Sequence, residues 1–440
     1  MERRLMRQLV AWKDSAGRMP LLLNGARQVG KTWLLREFGN RQFENVAYVI
    51  CENNPVMERV FDSYSDVKQV IQAISAQTET RIVPGHTLIL LDEIQEIPFA
   101  LSSLKYFCEN APEYHVAAAG SLLGVKFRRN NAPYPVGKIQ TLDLYPLSFT
   151  EYLDAVGAQA LGDLLAQRNH GLIAAFDEQF VRHLANYCYV GGMPNAVGAF
   201  IRQNDYRAAR AVQTQIVEDY INDVSKHLDI GDASRAHELW RSIPAQLGRE
   251  QGKRFFFSEV SQSRRARDFK RALQWLVDAG LVVKVPRVSK PGIPLRHYAS
   301  ETLFELFLPD VGLYSALCEL DVQSVLLRDP LFKEGKGALS EQFVCQQILS
   351  ELGSTPFYWA NNDNQIDFII SNEGSLYPIE VKAAQNLHSK SLRSFCDTYG
   401  LHGYRLSLAG YERQDWMTNI PLYATSTLLA PAPVAPAPFS

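Results

Sequence analysis

Residues 25–32 read Gly-Ala-Arg-Gln-Val-Gly-Lys-Thr, and they stand between the apolar run LLL and the helix-forming stretch TWLLREF. The glycines let the backbone N–H groups of the loop wrap a phosphate, and the helix that follows adds the positive end of its dipole. Because a strand and a helix frame the motif, we expect ATP or GTP to bind here. The residues expected to contact the nucleotide or its Mg²⁺ are Gly25, Gln28, Gly30, Lys31 and Thr32.

Two carboxylates follow a second apolar run, Leu-Ile-Leu-Leu at 88–91. The carboxyl ends of parallel strands open at one edge of a sheet, so we expect Asp92 and Glu93 to lie beside the phosphate loop. Asp92 is assigned to the Mg²⁺ water shell, and Glu93 to polarising the attacking water. Ser121 ends a third apolar run and is assigned to orienting the γ-phosphate or its water.

The pattern of apolar runs predicts a multidomain α/β protein. Residues 1–150 alternate strand-like and helical stretches, which is typical of a parallel sheet with crossover helices. Residues 151–245 read as a helical linker or lid, residues 246–300 carry a basic helix with two strands, and residues 301–428 return to mixed α/β. The Ala/Pro-rich segment 429–440 is expected to be disordered.

The composition excludes several classes of protein. Of 440 residues, 46% are hydrophobic and 21% are charged, which rules out a largely disordered chain. No apolar run reaches the 18 or so residues of a membrane helix, so no membrane partner is expected. The six cysteines are scattered, without a Cys-x-x-Cys pair, and the histidines show no zinc-ligand spacing. We therefore expect a cytoplasmic protein without disulfides or zinc.

Five strings, in order along the chain, resemble those of a known family: GARQVGKT, LILLDEIQ, AAGSLLG, LYPLSFTEYL and YVGGMPNAV. They are similar to the bacterial and archaeal AAA-type ATPases that carry a C-terminal domain of unknown function. The resemblance implies an AAA-type P-loop core that binds ATP and Mg²⁺, followed by a winged helix and an endonuclease-like domain. Relatives often have Gly-Arg where this chain has Gly137-Lys138, so Arg128 and Arg129 are alternative candidates for an arginine finger.

A basic window extends from Arg249 to Lys290. It contains eleven basic and four acidic residues, whereas the whole chain has a net charge of −2. Its order of helix, strand, Pro/Gly loop and strand predicts a winged helix. The helix carries the residues expected to contact DNA, which are Arg267, Lys270 and Arg271. The alternative is that the winged helix docks another protein.

A hairpin near the C-terminus brings a second set of carboxylates together. If Glu373 and Gly374 form a two-residue loop, paired residue numbers add up to 747, which places Asp367 opposite Glu380. Lys382 then shares their face. Two carboxylates around Mg²⁺ with a lysine beside the attacking water are the chemistry of metal-assisted phosphodiester cleavage.

Glu341, on the preceding predicted helix, is the candidate third metal ligand of this hairpin. The order Asp…Glu-x-Lys resembles the restriction-endonuclease-like PD-(D/E)xK fold, although many such domains keep the fold without cleaving.

Together these patterns predict an ATPase that drives or gates a DNA-directed C-terminal domain, which cleaves DNA with Mg²⁺ in the first hypothesis. The alternative is a nucleotide-gated switch that binds DNA or protein and whose nuclease-like domain is inactive. The family resemblance also implies a homo-oligomer, since AAA cores often complete their sites with a neighbouring copy.

Overall fold

The computed structural model describes most of the chain as two compact units. The described residues are 1–63, 66–121, 135–249, 254–323, 333–383 and 388–429. The first unit comprises residues 2–145 with 278–280, and the second comprises Met1, residues 146–277 and the chain from Leu281 onward. Of the predicted Ala/Pro tail, all but residue 429 lies outside the described residues.

The first unit is built on a five-stranded, fully parallel sheet in the order β2-β3-β4-β1-β5. Its strands are β1 (Leu21–Asn24), β2 (Asn45–Ile50), β3 (Thr87–Asp92), β4 (His115–Ala119) and β5 (Gln140–Asp143). Every residue of β3 and β4 is buried, as expected for central strands of a parallel sheet covered on both faces. The predicted parallel sheet is confirmed.

Among the described residues, five helices accompany this sheet, and the order of the strands decides where the site lies. The helices are α1 (Leu5–Lys13), α2 (Lys31–Gln42), α3 (Pro55–Ser63), α4 (Val67–Thr78) and α5 (Pro98–Asn110). Since β4 lies between β1 and β3, the segments that follow these three strands meet at one edge of the sheet. That edge carries the phosphate loop, Asp92 and Ser121.

The second unit begins with a helical region and continues into an α/β region. Its helices are α6 (Phe149–Ala155), α7 (Gln159–Gln167), α8 (His170–Ala175), α9 (Asp177–Val190), α10 (Pro194–Gln203), α11 (Tyr206–His227), α12 (Ile230–Leu247), α13 (Phe257–Val260), α14 (Ala266–Asp278), α15 (Val311–Leu317), α16 (Lys333–Leu352), α17 (Lys390–Tyr399) and α18 (Thr425–Leu429). Among the described residues, no helix is both long and apolar enough to cross a membrane.

An eight-stranded sheet organises the C-terminal part, in the order β12-β13-β11-β10-β9-β8-β6-β7. Its strands are β6 (Val283–Val288), β7 (Ala299–Phe307), β8 (Phe357–Ala360), β9 (Gln365–Asn372), β10 (Ser375–Lys382), β11 (Gly403–Ser407), β12 (Glu412–Arg413) and β13 (Met417–Pro421). The two strands of the predicted winged helix, β6 and β7, belong to this sheet, because β6 pairs with β8. The predicted boundary between residues 300 and 301 therefore falls inside a strand.

A buried polar network holds the second unit together around Asp310. Its carboxylate accepts hydrogen bonds from the Gly192 amide at 2.6 Å and from the Gln346 side chain at 3.1 Å. The Leu147 amide in turn donates to the Gly192 carbonyl at 2.7 Å. Burial raises the pKa of Asp310 to about 6, against the hydrogen bonds that lower it. The network ties segments that are more than a hundred residues apart in the sequence.

Gly192 gives a direct test of this packing. A Cβ atom at this position would overlap the Leu147 carbonyl oxygen, which cannot move without breaking its neighbours' hydrogen bonds. We expect Gly192→Ala to lower the free energy of unfolding by about 2 kcal/mol, as overpacking does elsewhere. Gly171→Ala is the control, because its new methyl group meets nothing closer than 3.6 Å. Equal melting temperatures for both variants would contradict the packing described here.

Candidate functional site

The loop between β1 and α2 has an unusual backbone. Gly25 has φ +152° and Gly30 has φ +95°, and a Cβ atom on Gly25 would overlap the Leu144 carbonyl oxygen. Both glycines are therefore required by conformation. Gln28 also has a positive φ, +66°, which is uncommon for a residue with a side chain. A loop with this sequence and shape, at the start of a helix, presents backbone N–H groups to an anion.

Lys31 is buried in this loop, with 7% of its surface exposed. Its ammonium group donates to the carbonyl oxygens of Gly25 at 2.9 Å and Ala26 at 2.8 Å. Burial lowers the pKa of Lys31 to about 8, although the carboxylates of Glu93 and Asp92 pull it upward. A partly desolvated cation held in this way is suited to pair with a phosphate group.

Asp92 connects the end of β3 to the first turn of α2. Its carboxylate accepts a hydrogen bond from the Thr32 hydroxyl at 3.1 Å and another from the Tyr48 hydroxyl at 2.8 Å. Burial, followed by the hydrogen bond to Asp92, raises the pKa of Tyr48. A hydroxyl and a carboxylate in contact are the oxygen donors that Mg²⁺ prefers, so Thr32 and Asp92 fit this ion.

Glu93 lies beside Asp92, and two polar side chains hold it. Its Oε2 atom accepts hydrogen bonds from the Ser121 hydroxyl at 3.0 Å and from the side-chain amide of Gln95. Arg27 also donates to the Ser121 hydroxyl, at 3.5 Å. The structure thus brings Lys31, Asp92, Glu93 and Ser121 to one edge of the sheet, where the sequence predicts them.

Sequence reasoning missed Tyr48 and Gln95. Tyr48 lies on β2, which is the neighbour of β3, and nothing in the nucleotide motif reveals that strand order. Gln95 follows the two carboxylates by two residues and is buried. A glutamine two residues after Asp-Glu, with the apolar Ile94 between them, is a signal that could have been read, since buried amides need hydrogen-bond partners.

The position of an arginine finger stays a prediction. Lys138 forms an ion pair with Glu109 at 3.0 Å, and this hydrogen bond raises the pKa of the lysine. Arg128 and Arg129 lie outside the described residues.

The C-terminal hairpin has the register that the sequence predicts. The pairs from Ser375–Asn372 to Ile379–Phe368 all follow the predicted rule. Extending this register by one residue beyond the last of these pairs places Asp367 opposite Glu380. The Asp367 carboxylate accepts a hydrogen bond from the Val381 amide at 2.7 Å, and Lys382 forms an ion pair with Glu380 at 3.0 Å.

Glu380 is 5% exposed, and its Oε2 atom has no hydrogen-bond partner among the described residues. An orphaned carboxylate oxygen beside a second carboxylate, that of Asp367, fits a divalent cation. Within the described part of the chain, however, no three His, Cys, Asp or Glu side chains are grouped to hold a metal. The predicted third ligand, Glu341, instead lines a cavity with Glu305 and Arg254, so a cation here would have two carboxylate ligands.

Arg405 is a further charged residue next to this pair of carboxylates, and sequence reasoning missed it. It lies opposite Glu380 on the parallel neighbour strand β11 and is only 2% exposed. Burial lowers the pKa of Arg405, and the charge of Glu380 raises it. Lys382 and Arg405 together supply two positive charges beside the two carboxylates.

The basic window is partly neutralised by acids that lie outside it. On α14, Arg271 contacts Asp229 at 3.4 Å and Asp232 at 3.3 Å. Just before that helix, Arg264 forms an ion pair with Glu238 at 2.7 Å. All three residues predicted to contact DNA are exposed. Arg271 is engaged by Asp229 and Asp232, and Arg267 contacts its neighbour Asp268 at 3.7 Å.

Comparison with known families agrees with this geometry. Residues 17–153 match the family model described as "AAA domain". Residues 181–324 and 336–424 match two models described as domains of unknown function, DUF8612 and DUF4143. No curated protein matches the chain.

Three solved structures illustrate how distant the structural relatives are. A Walker-type ATPase of Pyrococcus abyssi is 15% identical and covers 71% of this chain and 94% of its own, with a TM-score of 0.44. The Aeropyrum pernix ORC2 protein, in ADPNP–ADP complexes, is 16% identical and covers 74% and 92%, with a TM-score of 0.37. Cdc6p of Pyrobaculum aerophilum is 12% identical and covers 73% and 94%, with a TM-score of 0.25. The N-terminal part of this chain is thus similar to AAA-type P-loop ATPase domains, by its family model and by its site.

Proposed function

We propose that this protein binds and hydrolyses ATP, and that its nucleotide state controls a DNA-directed C-terminal region. The observation that carries the proposal is the meeting of Lys31, Thr32, Asp92 and Glu93 at one sheet edge. Lys31 pairs with the outer phosphates, while Thr32 and Asp92 hold Mg²⁺. When bound, Mg²⁺ neutralises part of the charge on the phosphates.

Glu93 is the residue that we assign to the attacking water. Its Oε2 atom is held by Ser121 and Gln95, so the orientation of the carboxylate is fixed before nucleotide binds. Oε1 is then the oxygen that accepts a hydrogen bond from the water and takes its proton. Ser121 and Gln95 act on the water through Glu93, and we assign them a positioning role.

Two substitutions separate nucleotide binding from hydrolysis. We expect Lys31→Ala to weaken ATP binding at least about tenfold, because a buried charge partner of the phosphates is lost. Glu93→Gln should bind ATP normally and hydrolyse it at least about a hundredfold more slowly, because only the proton acceptor is lost. Calorimetric titration and a phosphate-release assay measure both quantities, with the exposed Lys105→Ala as control. Equal turnover by wild type and Glu93→Gln would contradict the assignment of Glu93.

DNA contact is the part of the proposal that rests on α14. Arg267 and Lys270 present exposed positive charge on one helix. Backbone phosphates attract such charge irrespective of base sequence. The alternative, docking of a protein partner, uses the same surface but does not release condensed counterions.

The salt dependence of duplex binding distinguishes DNA contact from protein docking. Replacing both Arg267 and Lys270 by Ala should weaken binding and reduce the slope of log affinity against log salt concentration by about two. Arg271→Ala should change this slope less, because Asp229 and Asp232 already hold its guanidinium group. Fluorescence anisotropy with a labelled duplex measures both slopes. An unchanged slope in the double variant would favour protein docking.

Metal-dependent DNA cleavage is a second candidate function, and the orphaned oxygen of Glu380 favours it. If this function is correct, Asp367 and Glu380 hold the cation and Lys382 lies beside the reacting phosphate. The charges of Lys382 and Arg405 favour the opposite hypothesis, because they balance both carboxylates without a metal. In that case the C-terminal domain binds without cleaving, and the protein is a nucleotide-gated switch.

Thermal melts in millimolar Mn²⁺, without nucleotide, decide between these functions. For a nuclease, Mn²⁺ should raise the melting temperature of the wild type, and Asp367→Asn should abolish the rise. The exposed Asp363→Asn, in the turn just before β9, is the matched control. Lys382→Met should keep the Mn²⁺ effect and lose cleavage of plasmid DNA. If Mn²⁺ does not raise the melting temperature of the wild type and no cleavage is seen, the result contradicts the nuclease function. It then supports a nuclease-like domain that is inactive.

A further inference from the structure

Arg3, just before α1, contacts the phosphate loop from outside the nucleotide motif. Its guanidinium group donates to the Val29 carbonyl oxygen at 3.1 Å and to the Tyr145 carbonyl oxygen at 2.5 Å. The residue is 7% exposed. A guanidinium fork can hold two carbonyls in a fixed geometry, which the single ammonium group of a lysine cannot do.

These two contacts reach both ends of the loop. Val29 immediately precedes the glycine at the start of α2. Tyr145 follows Leu144, whose amide donates to the Asn24 carbonyl at 2.8 Å and whose own carbonyl oxygen abuts Gly25. Arg3 therefore connects two parts of the structure. One is Val29, near the end of the loop, and the other is the segment of Leu144 and Tyr145, which packs against the beginning of the loop.

The Val29 contact also bears on an N–H group of the loop. In a trans peptide the C=O and N–H bonds point in opposite directions. Because Arg3 holds the Val29 carbonyl on its own side, the Gly30 N–H is directed away from Arg3. The orientation of the Gly30 N–H is thus set by Arg3, which lies 26 positions before Val29.

The loop needs such support because its backbone is strained. Gly25 and Gly30 adopt positive φ angles that glycine tolerates, but Gln28 also has a positive φ, +66°, which is strained for a residue with a Cβ atom. Sparsely populated backbone conformations cost free energy and persist only where the surroundings enforce them. Hydrogen bonds from a charged donor are among the stronger constraints available.

The helix that follows Arg3 is itself firmly anchored. In α1, Leu9 and Trp12 are buried, and the Trp12 indole donates to the Met19 carbonyl at 2.8 Å. The Trp12 ring also lies 6.1 Å from the ring of Phe38 in α2. The guanidinium group is therefore presented from a rigid base rather than from a free chain end.

We propose that Arg3 is a positioning residue of the nucleotide site, which holds the phosphate loop in its binding conformation. The inference rests on the proposed ATP binding and deepens it. Arg3 touches neither substrate nor metal, and it acts through Val29 and Tyr145.

ATP titrations and steady-state kinetics of four full-length variants test this role. Arg3→Met should raise the Kd and KM for ATP by about tenfold or more, because it loses the charge-assisted hydrogen bonds to Val29 in the loop and to Tyr145 in the supporting segment. Its kcat should stay within about twofold of wild type, since the chemical groups remain. Arg3→Lys should fall between, because one carbonyl can still be held. Arg7→Met, an exposed position on α1, should behave like wild type.

Leu9→Ala controls for a general loss of stability, because it truncates a fully buried side chain of α1 and leaves the hydrogen bonds of Arg3 in place. A rise in KM with Arg3→Met but not with Leu9→Ala, at similar melting temperatures, supports the positioning role. Equal KM values for Arg3→Met and wild type, or equal rises in both variants, would overturn it. Failure of the wild type to bind ATP would instead overturn the proposed function, and this inference with it.

Discussion

The hydrogen bond from Thr32 to Asp92 is the interaction on which the site depends. It joins the helix that follows β1 to the end of β3, although β4 lies between these strands. Strand axes two positions apart in a sheet are about 10 Å apart, so the bond requires both segments to reach across the edge. The same carboxylate accepts a hydrogen bond from the Tyr48 hydroxyl, so β2 also contributes to the site. One buried aspartate thus connects the first turn of α2 with β2 and β3, next to Glu93, the residue to which we assign activation of the water.

The first unit shows why local motifs predict more than long-range contacts do. The phosphate loop, its flanking strand and helix, and the carboxylates after β3 are readable because each is a short stretch with its own chemistry. Arg3 and Tyr48 are different, because their roles depend on which strands and loops become neighbours. The sequence predicts a parallel sheet but not the order β2-β3-β4-β1-β5, and that order decides these contacts.

In the second unit, too, local features can be predicted from the sequence and long-range contacts cannot. The hairpin register is predictable because a two-residue turn fixes the pairs that follow it, from Ser375–Asn372 to Ile379–Phe368. Arg405 could not be placed, because its strand pairs with β10 only after a helix has intervened. The positive charge around α14 is less available than the sequence window indicates, for a related reason. Asp229 and Asp232, which contact Arg271, come from an earlier segment of the chain. The pairing of β6 with β8 is likewise a long-range contact. It places residues 246–300 and 301–428, which the sequence predicts as separate regions, in one sheet.

The central claim is that Thr32 and Asp92 complete a magnesium–nucleotide site beside Lys31. Calorimetric titration of ATP into the full-length protein in Mg²⁺ tests it most directly, with the double substitution Thr32→Val and Asp92→Asn as comparison. The account predicts one binding site per chain in the wild type. It also predicts that adding EDTA weakens wild-type binding and changes the double variant little, because the protein ligands of the metal are already gone. No binding by the wild type, or the same dependence on Mg²⁺ in both proteins, would contradict the account.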